Sequence, residues 1–399
     1  MSKISFKHII PAILLTAMAS SCSTRPDKVF RTDALNDLAW NSSVWISAAN
    51  APVHTSDPDD QHLAADGSSW FLSTVKNDAK VKKAVWMTAG LGVYELYVNG
   101  QAIGNEFLKP GFTHPYKTKR SFTYDVTAVM NLSSDQENTF SVQVTPGWWA
   151  DKIVTPGNHE GMIGKKCAFR GVLELTFSDG STKLFGTSTQ DWKAGIAGPV
   201  QHAAIFDGER FDARIRKGYD TPELLGTPEE NTEFKGEILP TAGAEIYLRE
   251  DLALSPVRAY TWKDVEGADD EAFGKVIVTN EMTSGEDFTL PKGQTLVVDF
   301  GQNCAAVPSF VFKAAEGTCL TCLPGELLND GNGAKARGMD GPEGSVHRTN
   351  LRTPDDAMRI DYTFATSEDF EKYDSYNTAV GEGTKPEKIP TILETLMTL

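Results

Sequence analysis

Cysteine is scarce in this 399-residue chain, with five in all, and the seven histidines form no ligand pair at helical or finger spacing. Cys319-Leu-Thr-Cys322 has CxxC spacing, but it has no second pair and no neighbouring histidines to complete a zinc site. The run Thr318–Leu323 reads as a strand, and residues three apart on a strand face opposite ways, so the two thiols cannot easily grip one metal. Cys167, Cys304, Cys319 and Cys322 are read as buried or free thiols, although an exported chain could oxidise them. Basic charge is also in short supply. Lys and Arg total 38 against 54 Asp and Glu, a net charge of −16 with a pI near 4.9. With no basic stripe, no nucleic-acid partner is expected; the acidity suits a neutral sugar or calcium equally. The chain also lacks a Gly-x-Ser-x-Gly elbow, a His-Glu-x-x-His pair and a phosphate loop, which removes the common hydrolase, zincin and nucleotide readings. Beyond the first segment, no apolar run is long enough to enter a membrane.

That first segment carries Lys3 and Lys7, then an apolar stretch from Ile9 to Met18, then small residues at Ala19, Ser20 and Ser21 before Cys22. This is the pattern of a signal peptide, too short for a spanning helix of ~20 residues. It resembles a bacterial lipoprotein signal with Cys22 as the lipidated first residue. Export to the periplasm or outer membrane, with a lipid anchor in the membrane, is the expectation.

The remainder is rich in short runs suited to half-buried strands. They include Lys83–Thr88, Tyr94–Val98, Phe140–Val144, Val172–Phe177, Lys275–Val278, Thr295–Phe300 and Ser309–Phe312. Turn signals separate them at Asn99-Gly100, Asp179-Gly180, Asp207-Gly208, Pro291-Lys-Gly293 and Asn329-Asp-Gly331. Asn99-Gly100 between two short runs predicts a two-residue hairpin. The pattern predicts an all-β protein of two β-sandwich, jelly-roll-like domains with few helices.

Two segments carry a family resemblance. The first contains Gly90–Gly100, Leu108-Lys-Pro-Gly-Phe-Thr113, Thr123-Tyr-Asp-Val-Thr127, Gly147-Trp-Trp149 and Phe206–Arg214 in order. The second contains Val298-Asp-Phe-Gly-Gln-Asn303, Gly325-Glu-Leu-Leu328 and Arg348-Thr-Asn-Leu-Arg352. Together they resemble the accessory domains of bacterial α-L-rhamnosidases. The implied organisation is a signal peptide (1–22), a linker with entry strands (23–69) and a carbohydrate-binding-like sandwich (70–250). A connector (251–289), a concanavalin-like sandwich (290–372) and an aberrant tail (373–399) follow. The resemblance places inverting catalysis on glutamates of a helical barrel whose Asp-Cys-Pro-x-Arg-Asp-Glu motif is not found here. No catalytic pair is assigned among the 54 carboxylates. With the resemblance ending near Asp374, the last sandwich is expected to lack closing strands and expose an edge.

The candidate sugar site is Gly147-Trp148-Trp149-Ala-Asp151 with Asn158 and His159 in the following loop. An indole suits the apolar face and methyl of a 6-deoxy sugar, and amides or carboxylates take up hydroxyls. On a strand, adjacent tryptophans would point to opposite sides, one core and one exposed; both packing the sandwich is the alternative. Asp207 and Glu209 offer oxygen ligands for calcium, which related rhamnose-binding modules use, or form a tight turn with a structural ion pair. Three readings stay open: a module that binds rhamnose-containing glycans, a pure scaffold, and a hydrolase with a novel site.

Overall fold

Alternation of apolar and polar side chains makes a strand that buries one face, and strands are the main elements among the described residues. The structure, a computed structural model, describes residues 2–5, 31–54, 67–151, 161–205, 208–241, 245–282, 287–330, 335, 340–348, 359–374 and 394–398. It is all-β with a few short helical turns, and it divides into two units. Ala19–Ile205 and Ile215–Leu248 make up one; Met1–Met18, Phe206–Arg214 and Arg249–Leu399 make up the other.

The first unit is a sandwich. Its larger sheet runs Glu229–Glu230, Ile46–Ser47, Ala168–Phe177, Val81–Leu91, Thr118–Asp125, Glu237–Pro240, with Thr182–Gly186 paired to Ala168–Phe177. The facing sheet runs Lys193–Ala197, Ser68–Lys76, Glu137–Thr145, Val93–Val98, Gln101–Ile103. The inner faces meet in one core that includes Phe71, Trp86, Tyr94, Phe140 and Phe169. Trp86 packs edge-on to Phe140 with ring centroids 5.1 Å apart, the geometry the ring quadrupole favours. The expected hairpin is present: Val98 pairs with Gln101, and Asn99 and Gly100 take φ of 50° and 76°. Left-handed φ at both turn residues matches the twist of the flanking strands.

Asparagines rather than apolar groups close one end of this sandwich. Asn77 and Asn138 are both fully buried. The Asn138 carboxamide accepts from Asn99 Nδ2 at 2.9 Å and from the Asn131 amide at 2.7 Å, and donates to Asn77 Oδ1 at 3.3 Å and the Asn131 carbonyl at 3.1 Å. Asn77 Nδ2 in turn donates to the carbonyls of Asn131 and Ser133. The turn backbone is thus satisfied by side chains where no strand neighbour reaches it.

In the second unit one sheet contains Lys275–Met282, Arg258–Glu266, Thr295–Asp299, Glu394–Thr398, Cys319–Gly325, Arg359–Thr363 and Gly208–Asp212 in that order. Another contains Asp287–Leu290, Ser2–Ser5, Ser309–Lys313 and Glu371–Asp374. The core gathers Leu296, Val298, Phe312, Leu320, Ile360, Tyr362, Phe364 and Tyr373. Two readings from the sequence change here. The expected open edge is occupied, because Glu394–Thr398 of the tail pairs between Thr295–Asp299 and Cys319–Gly325. Residues 251–289, read as a connector, carry strands of this unit, and Gly208–Asp212 joins it from within 70–250 by parallel pairing with Arg359–Thr363. Cys319 is exposed and Cys322 buried on one strand, facing opposite ways as expected, and Cys167, Cys304, Cys319 and Cys322 are all free thiols. Cys22 lies outside the described residues, and among the described residues no helix is long and apolar enough to cross a membrane.

Truncating Asn138 strands several buried partners at once. Asn138→Ala is expected to lower the unfolding free energy by about 1–3 kcal/mol, read as a drop in the urea midpoint; an unchanged midpoint would mean that water replaces the carboxamide.

Candidate functional site

The strand Glu137–Thr145 ends at Pro146, whose dihedrals (φ −52°, ψ −47°) already turn helical, and Gly147–Ala150 completes one helical turn. The Trp149 and Ala150 amides donate to the Pro146 carbonyl, both at 3.2 Å. Gly147 has φ of +51°, and a Cβ there would lie 2.6 Å from Val93 Cγ2, so glycine is required for the chain to pass. The tryptophans therefore lie on a helical turn, not on a strand. Successive side chains on a helix diverge by about 100°, and this separates the pair. Trp149 is buried, with its indole N–H donating to the Lys166 carbonyl at 2.9 Å. A Cβ at Gly164 would sit 1.9 Å from its ring, so the chain closes directly on the indole. Trp148 is only half-buried and meets Phe112 edge-on at 6.5 Å.

Trp148 and Phe112 share a shallow depression, open to solvent, with Pro110, Thr113, Pro115 and Lys119. Phe112 is 56% exposed, and near it the same loop holds Tyr116, 59% exposed. The Tyr116 hydroxyl donates to the carbonyl of Met162, itself an exposed apolar residue. Exposed apolar side chains grouped this way mark an interaction surface more often than isolated ones do. Beneath the pocket lies Lys119. Its ammonium sits 4.7 Å from the centroid of the Trp149 ring and 5.5 Å from that of Phe234, and the residue is 8% exposed. Burial alone pulls its pKa down to about 8. Phe112, Tyr116 and Lys119 were not among the candidates read from the sequence; the available signal was the run Gly111-Phe-Thr-His-Pro-Tyr116, aromatics set among turn formers.

The other candidates lie elsewhere. Asp151 is buried, accepts from the Ile205 amide at 3.2 Å, and lines a different, small and mostly apolar pocket with His54, His202, Gln201 and Cys167. Burial, reinforced by the Asp151 carboxylate, pushes the Cys167 thiol up to about 12, so it carries no thiolate at neutral pH. Asn158, His159 and Asp207 lie outside the described residues. Glu209 is buried in the second unit, where its Oε1 accepts from the Tyr373 hydroxyl. Among the described residues no group of three or more His, Cys, Asp or Glu side chains converges as a metal site.

Comparison with known proteins places these units. The α-L-rhamnosidase N-terminal domain matches residues 79–235, and the bacterial α-L-rhamnosidase concanavalin-like domain matches residues 289–376, together more than half of the chain. The chain belongs to the α-L-rhamnosidase family. An α-L-rhamnosidase of Alteromonas sp. (strain LOR) is 28% identical over 300 residues, covering 75% of this chain and 29% of that protein. One from Streptomyces avermitilis is 27% identical over 283 residues, covering 69% and 22%. The chain thus spans less than a third of the length of the curated relatives it matches. Among solved structures, native α-L-rhamnosidase from Aspergillus terreus overlays with a TM-score of 0.65 at 20% identity, covering 92% of this chain and 36% of that one. Streptomyces avermitilis α-L-rhamnosidase complexed with L-rhamnose overlays with a TM-score of 0.59 at 21% identity, covering 83% and 27%. At that identity the likeness is one of fold.

In this rhamnosidase sandwich Lys119 holds its proton more weakly folded than unfolded, where its ordinary value is 10.5. The desolvation cost is complete below about pH 8 and fades as pH rises toward 10.5, because the unfolded chain then binds the extra proton. Buried Tyr94 and Tyr124, whose pKa values are raised by burial, oppose this only above about pH 10, where unfolded tyrosine ionises. From pH 7 to 9.5 the wild type should therefore gain stability relative to Lys119→Met in chemical denaturation. Parallel curves would show that the ammonium is solvated.

Proposed function

We propose that this chain is the non-catalytic N-terminal portion of an α-L-rhamnosidase-like glycoside hydrolase, and that its first sandwich binds rhamnose-containing glycans on the Trp148–Phe112 face. The observation that carries this reading is the half-exposed Trp148 indole set edge-on to Phe112 in a solvent-open pocket. An aromatic wall of this kind matches the C–H face and the methyl group of a 6-deoxy sugar. Among the described residues no carboxylate lines the pocket, whereas glycoside hydrolysis needs an acid and a base or nucleophile on either side of the bond; binding is the chemistry these side chains support. The solved relative from Streptomyces avermitilis was captured with L-rhamnose, which favours rhamnose as the sugar to try first. Export and a lipid anchor at Cys22 belong to the same proposal, resting on the basic, apolar and small-residue pattern of Met1–Cys22.

Calorimetric titration of L-rhamnose into the protein should give saturable heat. The heat should be the same with calcium and with a chelator, because no acidic side chain among the described residues lines the pocket. Trp148→Ala should weaken binding at least about tenfold, or about 1.4 kcal/mol, with stability little changed. A folded protein that gives no heat with rhamnose would leave a scaffold that supports the rest of its enzyme.

A further inference from the structure

Residues 2–5 belong, by sequence, to the basic start of a leader. In the fold, Ser2–Ser5 is an inner strand of a four-stranded sheet of the second unit, between Asp287–Leu290 and Ser309–Lys313. It runs antiparallel to both neighbours. Ser2 pairs with Leu290 and Ser5 with Asp287 on one side, and Lys3 pairs with Lys313 and Ile4 with Phe312 on the other. Asp287–Leu290 lies at the edge of that sheet, and Ser2–Ser5 is its one strand partner among the described residues. Leu290 and Phe312, 1% and 2% exposed, both belong to the core of the unit. Neighbouring strands lie about 4.8 Å apart, so the two flanking strands are held about 10 Å from each other, too far to pair directly. Without Ser2–Ser5, two rows of backbone donors and acceptors lose their partners beside a buried core, an arrangement that calls for another strand.

We infer that the interval between Asp287–Leu290 and Ser309–Lys313 is a strand-accepting site, filled in cis by Ser2–Ser5 and opened to an extended peptide of a partner chain when the leader is removed. Only the opening rests on the export reading above; the pairing does not. In strand addition the main-chain hydrogen bonds supply affinity and alternate side chains supply specificity. Cross-strand neighbours share a face, so the positions opposite Leu290 and Phe312 call for apolar residues, and the position between Thr289 and Lys313 accepts a polar one. The partner is therefore an extended segment with apolar residues two apart. Serine at the position opposite Leu290 meets that requirement poorly, which favours exchange.

Hydrogen exchange on the full chain, expressed without export, tests the pairing. The amides of Asp287–Leu290 should exchange at least about tenfold more slowly in the wild type than in Ile4→Pro, because proline lacks the ladder donor and is excluded from inner strands. A fluorescein-labelled peptide of residues 2–7 should bind Ile4→Pro saturably and the wild type at least about tenfold more weakly. The same peptide carrying Ser2→Val should bind more tightly still. Ser5→Cys combined with Asp287→Cys should cross-link, since directly paired strand residues lie within disulfide reach, and the cross-linked chain should exclude the peptide. Equal exchange in wild type and Ile4→Pro, or equal peptide binding by the two, would overturn the inference. Should Ile4→Pro fail to fold, the cysteine pair decides, and absence of the cross-link overturns it. Chain recovered from exporting cells tests the opening. An N-terminus at Cys22, with Asp287–Leu290 amides that exchange fast until the peptide is added, supports it. A retained Met1 would remove the export reading and the opening with it, while the strand pairing stood.

Discussion

The indole of Trp149 is packed against Gly164, the Lys119 ammonium and, near-perpendicular, the Phe234 ring, and the candidate site follows from that packing. Burying an indole of ~200 Å² contributes on the order of 5 kcal/mol by transfer-area reasoning, an upper bound. With Trp149 fixed inward and its N–H satisfied by Lys166, one step along a helical turn carries Trp148 outward. The exposed platform is thus a geometrical consequence of the buried one. Lys119 is held by the same contact, since the ring that stabilises its charge is the ring that fills the core. Function and stability meet at Trp149, and substitutions there would disturb the fold before they reported on binding.

Polar groups fasten the loops that the strands leave open. In the first unit the asparagines 77, 99, 131 and 138 tie the Asn99-Gly100 hairpin to neighbouring turns. In the second unit Glu371 accepts from the Tyr362 hydroxyl and from the Ala365 and Thr366 amides, while Asn329 donates to Asp340 and faces His347 Nδ1 at 3.0 Å. Such satisfied networks rigidify the ends of a sandwich, where ligand-binding loops are carried. The Trp148 turn is held likewise, through the Gly161 and Gly164 amides donating back to Ala150 and Trp149.

Strand positions were legible in the sequence because half-burial writes a period of two into residues such as Tyr94–Val98, and because a fully buried stretch, such as Ala84–Met87 within Lys83–Thr88, shows as a continuous apolar run. The hairpin at Asn99-Gly100 was legible because few residue pairs accept left-handed φ twice in succession. The site was legible only as a neighbourhood. Gly147–Asp151 stood out, but the tryptophans were weighed as strand residues where Pro146 starts a helical turn, and Asp151 was grouped with them although it lines another pocket. Phe112, Tyr116 and Lys119 were passed over because nothing local distinguishes a core aromatic from an exposed one, or a surface lysine from one seated on rings. The last sandwich, expected to lack closing strands, takes up Glu394–Thr398 of the tail between two of its strands.

By itself the sequence determined the class of fold and the two sandwiches, because these rest on periodicity and turn chemistry that act over a few residues, and it carried the family resemblance in a set of ordered motifs. Tertiary structure alone decided which tryptophan faces water, which pocket Asp151 enters, and that Lys119 lies beneath the aromatic platform. It also decided that Gly208–Asp212 pairs with Arg359–Thr363, some 150 residues away in sequence. Each of these depends on burial between segments far apart along the chain, and burial is a property of the packed whole that no local pattern records.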